Sequence, residues 1–135
     1  MSISKIFEKD IDVKLLSEDN FTANISENWS IGQTANGGYS MALIAKACSK
    51  ALSHKDPLVL SANYIDRVEF GSADIQITKI ASTKSTSTAH VSLKQNGILK
   101  IFCTVTFTDF SKMKGLNNNL ILEQKCDQYE NCIQV

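Results

Sequence analysis

The sequence predicts an α+β domain: one long helix wrapped by a curved antiparallel sheet of five to six strands. Three observations carry this. The only long helical pattern runs from Gly38 to Ser53, and its polar positions form one narrow stripe. After Pro57 the hydrophobic period changes from 3.6 to 2. The joins between the later strands are short, as antiparallel neighbours require.

In the helical stretch, Lys46, Ser49, Lys50 and Ser53 fall at i, i+3, i+4 and i+7. Met41, Ala42, Leu43, Ile44, Ala45, Ala47, Cys48, Ala51 and Leu52 fill the remainder. A helix apolar around most of its circumference is expected to be buried on most sides, which calls for a sheet curved about it. Pro57 stops it, because the residue before a proline is steered away from helical geometry.

Upstream, "KIFEKDIDVKLL" fits either a short helix or an edge strand, "NFTANIS" alternates as a strand, and "ENWSIGQTANGG" has the Gly and Asn content of a loop. Downstream, "LVLSANYIDRVEF", "ADIQITKIAS", "TSTAHVSLKQ" and "ILKIFCTVTFTDF" are rich in Val, Ile, Thr and Phe. The last two are joined at Asn96-Gly97. A two-residue loop there pairs Leu93 with Lys100. A three-residue loop, Gln95-Asn96-Gly97, pairs Val91 with Ile101 and Leu93 with Leu99. The second sets apolar against apolar and is the expected register.

The 135 residues fit one domain, with 43% hydrophobic residues to build a core. Fourteen basic residues balance fourteen acidic ones, and Arg67 is the lone arginine. That balance argues against a nucleic-acid partner. No apolar run approaches the ~20 residues that span a bilayer, and the first residues lack a signal-peptide core, so no membrane partner and a cytoplasmic location are expected. Cys48 and Cys103 read as buried thiols. Cys126 and Cys132 are spaced too loosely, with no histidine nearby, to indicate zinc, and no metal site is expected.

The glycine pair Gly37-Gly38 opens the helix. A helix N-terminus carries unpaired N–H groups and partial positive charge. Bare glycines let a ligand oxygen approach those donors, and a thioester carbonyl, which gains negative charge during hydrolysis, is a fitting guest. The alternative is that the glycines serve a tight turn or close helix–sheet packing.

The segments "NWSIGQTANGGYSMALIAKA", "LSANYIDR", "STKSTSTAHVSLKQNG" and "KIFCTVTF" resemble the N-terminal half of the acyl-CoA thioesterase II (TesB-like) proteins. The likeness runs from about Phe21 to Phe110, and Trp29, Gly32 and Asn36-Gly37-Gly38-Tyr39 are its most specific part. It implies a hot-dog fold over residues 1–110, followed by a tail or linker-like segment at 111–135. It also implies acyl-CoA hydrolysis in a homodimer or higher homo-oligomer, with pockets between protomers and no cofactor beyond the coenzyme A of the substrate. Gly38 and Tyr39, whose N–H groups would hold the carbonyl, together with Gln95 and Asp66, are the catalytic candidates. Gln95 fits the Gln-x-Gly pattern, and Asp66 is a substitute for the water-activating Asp, which the family carries in its second half. Asn36, Gly37 and Lys84 are substrate-binding candidates, Lys84 standing where the family has the arginine of a Gly-Arg-Ser segment. The helix holds no acid from Gly37 to Ser53, and this supports an alternative function: a non-catalytic acyl-thioester-binding or scaffolding half of a split double hot-dog complex. His54 reads as a partner of the helix C-terminus, and His90 as a strand residue.

Overall fold

The computed structural model describes residues 2–115. The tail from 116 onward, with Cys126 and Cys132, lies outside the described residues. The ambiguous N-terminal stretch holds both structures that its sequence allowed: helix α1 (Ile3–Asp10) and then strand β1 (Val13–Ser17). Strand β2 (Asn20–Ile25) follows. The Gly/Asn-rich loop contains a 3-10 turn (Glu27–Trp29) and a minimal hairpin, β3 (Ser30–Ile31) and β4 (Thr34–Ala35). Helix α2 (Gly37–Ala51) comes next. It is followed by β5 (Asp56–Tyr64), β6 (Gly71–Ser82), β7 (Ser87–Gln95) and β8 (Ile98–Thr108).

Six of these strands form one antiparallel sheet in the order β1-β2-β6-β7-β8-β5, with β1 and β5 at its edges. Period-2 alternation sets its inner face. Ala73, Ile75 and Ile77 of β6, Ala89, Val91 and Leu93 of β7, and Ile101, Cys103, Val105 and Phe107 of β8 are buried. They meet Leu43, Ile44, Ala47 and Cys48 of α2 in a single core. Burial raises the Cys48 thiol to about 12 and the Cys103 thiol to about 11, which makes both inert.

Two expectations are corrected. The helix is not buried nearly all round. Tyr39, Ser40, Leu43, Ile44, Ala47 and Cys48 are buried, whereas Met41, Ala42 and Ala45 are only partly covered. One sheet covers one face, and the small side chains of the other face stay within reach of solvent.

The β7–β8 register is the second correction. Asn96 (φ 50°) and Gly97 (φ 77°) form a two-residue turn with both central residues in the left-handed region, the type I′ geometry that Asn-Gly favours. Such a loop alone would set Leu93 opposite Lys100. The ladder instead runs Gln95↔Ile98, Lys94↔Leu99 and Leu93↔Ile101, leaving Lys100 as an extra residue in a bulge. The bulge reconciles the preferred turn with apolar pairing, which the three-residue loop had been expected to do.

Because Gly97 needs φ of +77°, Gly97→Ala is expected to lose about 1–2 kcal/mol of stability, measured by urea unfolding. Asn96→Gly, which suits the same geometry, should lose much less.

Candidate functional site

Asn36 precedes the glycine pair and is the N-cap of α2: its Oδ1 accepts the Gly38 N–H at 2.8 Å. The first intrahelical bond is Ser40 N–H to Asn36 C=O, 3.0 Å. Helix geometry leaves the N–H groups of Gly37, Gly38 and Tyr39 ahead of that bond. The two glycines answer to different neighbours. A Cβ on Gly37 would lie 3.0 Å from the Tyr64 hydroxyl and 3.1–3.2 Å from its ring. Tyr64, at the end of β5, lies against the bare main chain and donates its O–H to Gly37 C=O at 2.8 Å. A Cβ on Gly38 would meet only the capping oxygen, at 3.2 Å. Close packing therefore accounts for Gly37. Gly38 is exposed.

A cavity of about 380 Å³ opens beside Gly38, walled by Phe7, Asn28, Trp29, Ser30, Asn36 and Tyr39. Asp10, at the end of α1, ties the wall together. Its Oδ2 accepts from Asn28 Nδ2 at 2.8 Å and from Trp29 Nε1 at 3.0 Å. The Asn28 bond above all, with Trp29 and Ser26 adding, holds the Asp10 carboxyl below the usual aspartate range. The rings of Phe7 and Trp29 meet edge to face at 4.9 Å. Tyr39 is buried, and its hydroxyl donates to Asp10 C=O at 2.8 Å and accepts Ser26 N–H at 3.0 Å. That hydroxyl staples α1, β2 and α2 together, which leaves Tyr39 only its main-chain N–H to offer a ligand.

The other expected site residues do not line this cavity. Gln95 is buried, and its amide is spent on main chain: it accepts Glu69 N–H at 2.9 Å and donates to Glu69 C=O at 2.8 Å and Ser72 C=O at 3.2 Å. It clasps the approach to β6 and does not line the glycine cavity. Asp66 is exposed and pairs with Lys100 Nζ at 2.6 Å while accepting Arg67 N–H at 2.8 Å. The Lys100 bond chiefly lowers its carboxyl below the usual range, which weakens it as a base. Lys84 is exposed in the β6–β7 turn, where its C=O faces His54. His54 follows the C-terminus of α2, and the 15-residue helix is about 22 Å long, so Lys84 stands at the end remote from Gly38. Of the expected residues, Asn36, Gly38 and Tyr39 wall the cavity and Gly37 packs under Tyr64 beside it, whereas Gln95 and Asp66 do not line it and Lys84 stands at the far end of α2. His90 is exposed and packs on Phe102 at 5.4 Å.

Sequence reasoning passed over Asn28, Phe7 and Tyr64, and weighed Asp10 only as a possible base or a solvated loop charge. Asn36 carried a signal, since Asn before a helical run is a favoured cap. Tyr64 carried none, because its contact with Gly37 joins residues 27 positions apart.

A long helix laid on a six-stranded antiparallel sheet, with a cavity at the helix N-terminus, defines a hot-dog domain. A sequence model of the family described as "Acyl-CoA thioesterase N-terminal domain" matches residues 25–108, from the end of β2 to the end of β8. The chain belongs to that family, and the likeness to the N-terminal half of the TesB-like proteins stands. It is similar to the thioesterase-like protein TwmA of Talaromyces wortmannii, with 29% identity over 99 residues that take in 71% of this chain and 28% of that protein. Its fold matches a conserved protein of unknown function with a hot dog fold from Alicyclobacillus acidocaldarius at TM-score 0.77 and 14% identity, over 93% of this chain and 47% of that one. It also matches smu.793 of Streptococcus mutans UA159, solved bound to acetyl CoA, at TM-score 0.61 and 18% identity, over 72% of this chain and 86% of that one. The chain thus spans little more than a quarter of TwmA and about half of the Alicyclobacillus protein. Among the described residues, no helix is long and apolar enough to cross a membrane.

The Asp10 carboxyl has a lower pKa folded than unfolded. Its stabilisation is therefore complete above the ordinary aspartate value and is lost as pH falls through the folded value. Asp10→Asn should flatten the acid limb of a stability-versus-pH curve, followed by thermal unfolding at stepped pH, and should loosen the Trp29 environment seen by fluorescence.

Proposed function

We propose that this chain binds acyl-CoA thioesters at the N-terminal end of α2 and hydrolyses them as a homodimer in the cytoplasm. One observation carries the proposal: the Gly38 N–H, on the wall of a cavity of about 380 Å³, already donates to a carbonyl-type oxygen, Asn36 Oδ1, at 2.8 Å. An acyl oxygen that displaces this exposed cap would meet the Gly38 and Tyr39 amides together with the positive end of the helix. Those are the donors a thioester carbonyl needs as it gains charge. Family membership supports the substrate class, as does the acetyl CoA bound by smu.793. The free thiols of Cys48 and Cys103 fit a reducing compartment.

The homodimer is supported by the sheet's open edge. Strand β5 has β8 on one side only, and Leu58, Val59, Tyr64 and Ile65 along and just beyond it are exposed. An unpaired edge carrying apolar side chains is a template for another strand. Tyr64 links that edge directly to Gly37, so a partner seated on β5 would adjoin the helix start. The water-activating group would come from across that interface.

A second reading has its own support. The residues lining the glycine cavity include no carboxylate or histidine, Gln95 is sequestered and Asp66 is ion-paired. A chain so furnished suits the thioester-binding half of a split double hot-dog complex, completed by a separate catalytic half.

Thiol release from a panel of acyl-CoAs tests the first reading. Turnover above the buffer rate is expected for at least one chain length. Gly38→Pro, which deletes the amide together with its bond to the Asn36 cap, should cut it about 10²–10³-fold, with circular dichroism checking that the sheet is retained. No release for any chain length sinks hydrolysis by this chain alone. Calorimetric binding of a non-hydrolysable acyl-CoA analogue would then select the second reading.

A further inference from the structure

We propose that Ser87 and His54, at the end of α2 remote from the glycine pair, form a serine-based acyl-transfer site for small esters or thioesters of short-chain carboxylic acids. His54 is 7% and Ser87 2% exposed. His54 Nδ1 lies 2.7 Å from Ser87 Oγ, and Nε2 lies 3.3 Å from Lys84 C=O. The second contact fixes the tautomer. A carbonyl can only accept, so Nε2 carries the hydrogen, and in the neutral imidazole the lone pair of Nδ1 faces the serine. Ser87 O–H then donates to Nδ1. A nucleophile within hydrogen-bond reach of a base, itself oriented by a third group, is the arrangement that activates a hydroxyl. Here a main-chain carbonyl does the orienting.

The surroundings complete the site. Asp109 lines the same cavity as His54. It is ion-paired to Lys112 at 2.7 Å and receives Lys55 N–H at 3.1 Å, so a fixed negative charge stands near the imidazolium that proton uptake creates. Ser87, at the start of β7, lines a different cavity of about 220 Å³ with Leu52, Ser53, Lys79, Ile80, Ala81 and Ser82. Its apolar residues suit an acyl group of a few carbons. Ser82 Oγ, 3.3 Å from Ser87 Oγ, is a hydroxyl donor beside the nucleophile.

The chemistry balances without a co-reactant other than water. As Ser87 Oγ bonds to the acyl carbon, its proton passes to His54 Nδ1. Collapse breaks the C–O or C–S bond, and the departing alcohol or thiol takes that proton. Water then attacks acyl-Ser87 by the same route, releasing the carboxylic acid and restoring the hydroxyl. None of this involves Gly38 or its cavity, so the site stands or falls apart from the function proposed above.

The test treats the whole chain with a fluorophosphonate probe and maps the adduct by peptide mass spectrometry. The expected result is a single adduct on Ser87. It should be absent in Ser87→Ala, formed about 100-fold or more slowly in His54→Ala, and unchanged in His90→Ala, whose histidine lies on the outer sheet face. A wild-type protein that acquires no Ser87 adduct overturns the proposal, even if the His54 variant fails to fold, because a purely structural Ser87–His54 bond confers no such reactivity. Labelling at equal rate in folded His54→Ala overturns it as well.

Discussion

The architecture around the candidate site depends on one contact, the phenol of Tyr64 lying on the bare main chain of Gly37. The hydroxyl bonds to the Gly37 carbonyl, and the ring occupies the space a Cβ would need. That contact fastens the edge strand β5 to the first turn of α2. Asn36 caps the turn from one side and Tyr39 staples it to α1 and β2 from within. Three independent tethers thus hold a helix N-terminus whose main-chain donors remain at the surface of a cavity. Preorganised donors are worth most where they need no rearrangement as charge develops, and this lattice of tethers supplies that rigidity.

Much of the fold was legible because it is written in local periodicity. The alternation of Ile75 and Ile77, and of Val91 and Leu93, marked the inner face of the sheet, and Pro57 marked the change of period. The β7–β8 register was not legible. Two local preferences conflict there: Asn-Gly asks for a two-residue turn, and Leu93 asks for an apolar partner. A bulge at Lys100 satisfies both, and Lys100 then reaches Asp66. A pattern of residues states each preference separately but not the insertion that reconciles them.

The candidate site was legible only where one short segment builds it. Asn36 to Tyr39 lie together because they are consecutive. Gln95 and Lys84 were placed by resemblance and Asp66 as a substitute base, and each is held by contacts from distant parts of the chain: Glu69 and Ser72 for Gln95, Lys100 for Asp66, the β6–β7 turn beside His54 for Lys84. The expectation that α2 is buried on most sides failed for a related reason. Met41, Ala42 and Ala45 are apolar in sequence, yet one sheet reaches only one face of the helix.

That incompletely covered face, the open edge of β5 and the absence of a carboxylate or histidine among the residues lining the glycine cavity have a common physical reading. A helix that spends apolar residues on a face its own sheet does not reach, next to an edge whose hydrogen-bonding groups are unpaired, is shaped for company. On the proposed function, a partner that covers the edge would arrive beside Tyr64 and Gly37, where a water-activating base is needed. Burial and chemistry therefore point to one surface. The proposed partner, whether a second copy or a different half, would then approach along β5, the edge among the described residues that Tyr64 joins to the start of α2.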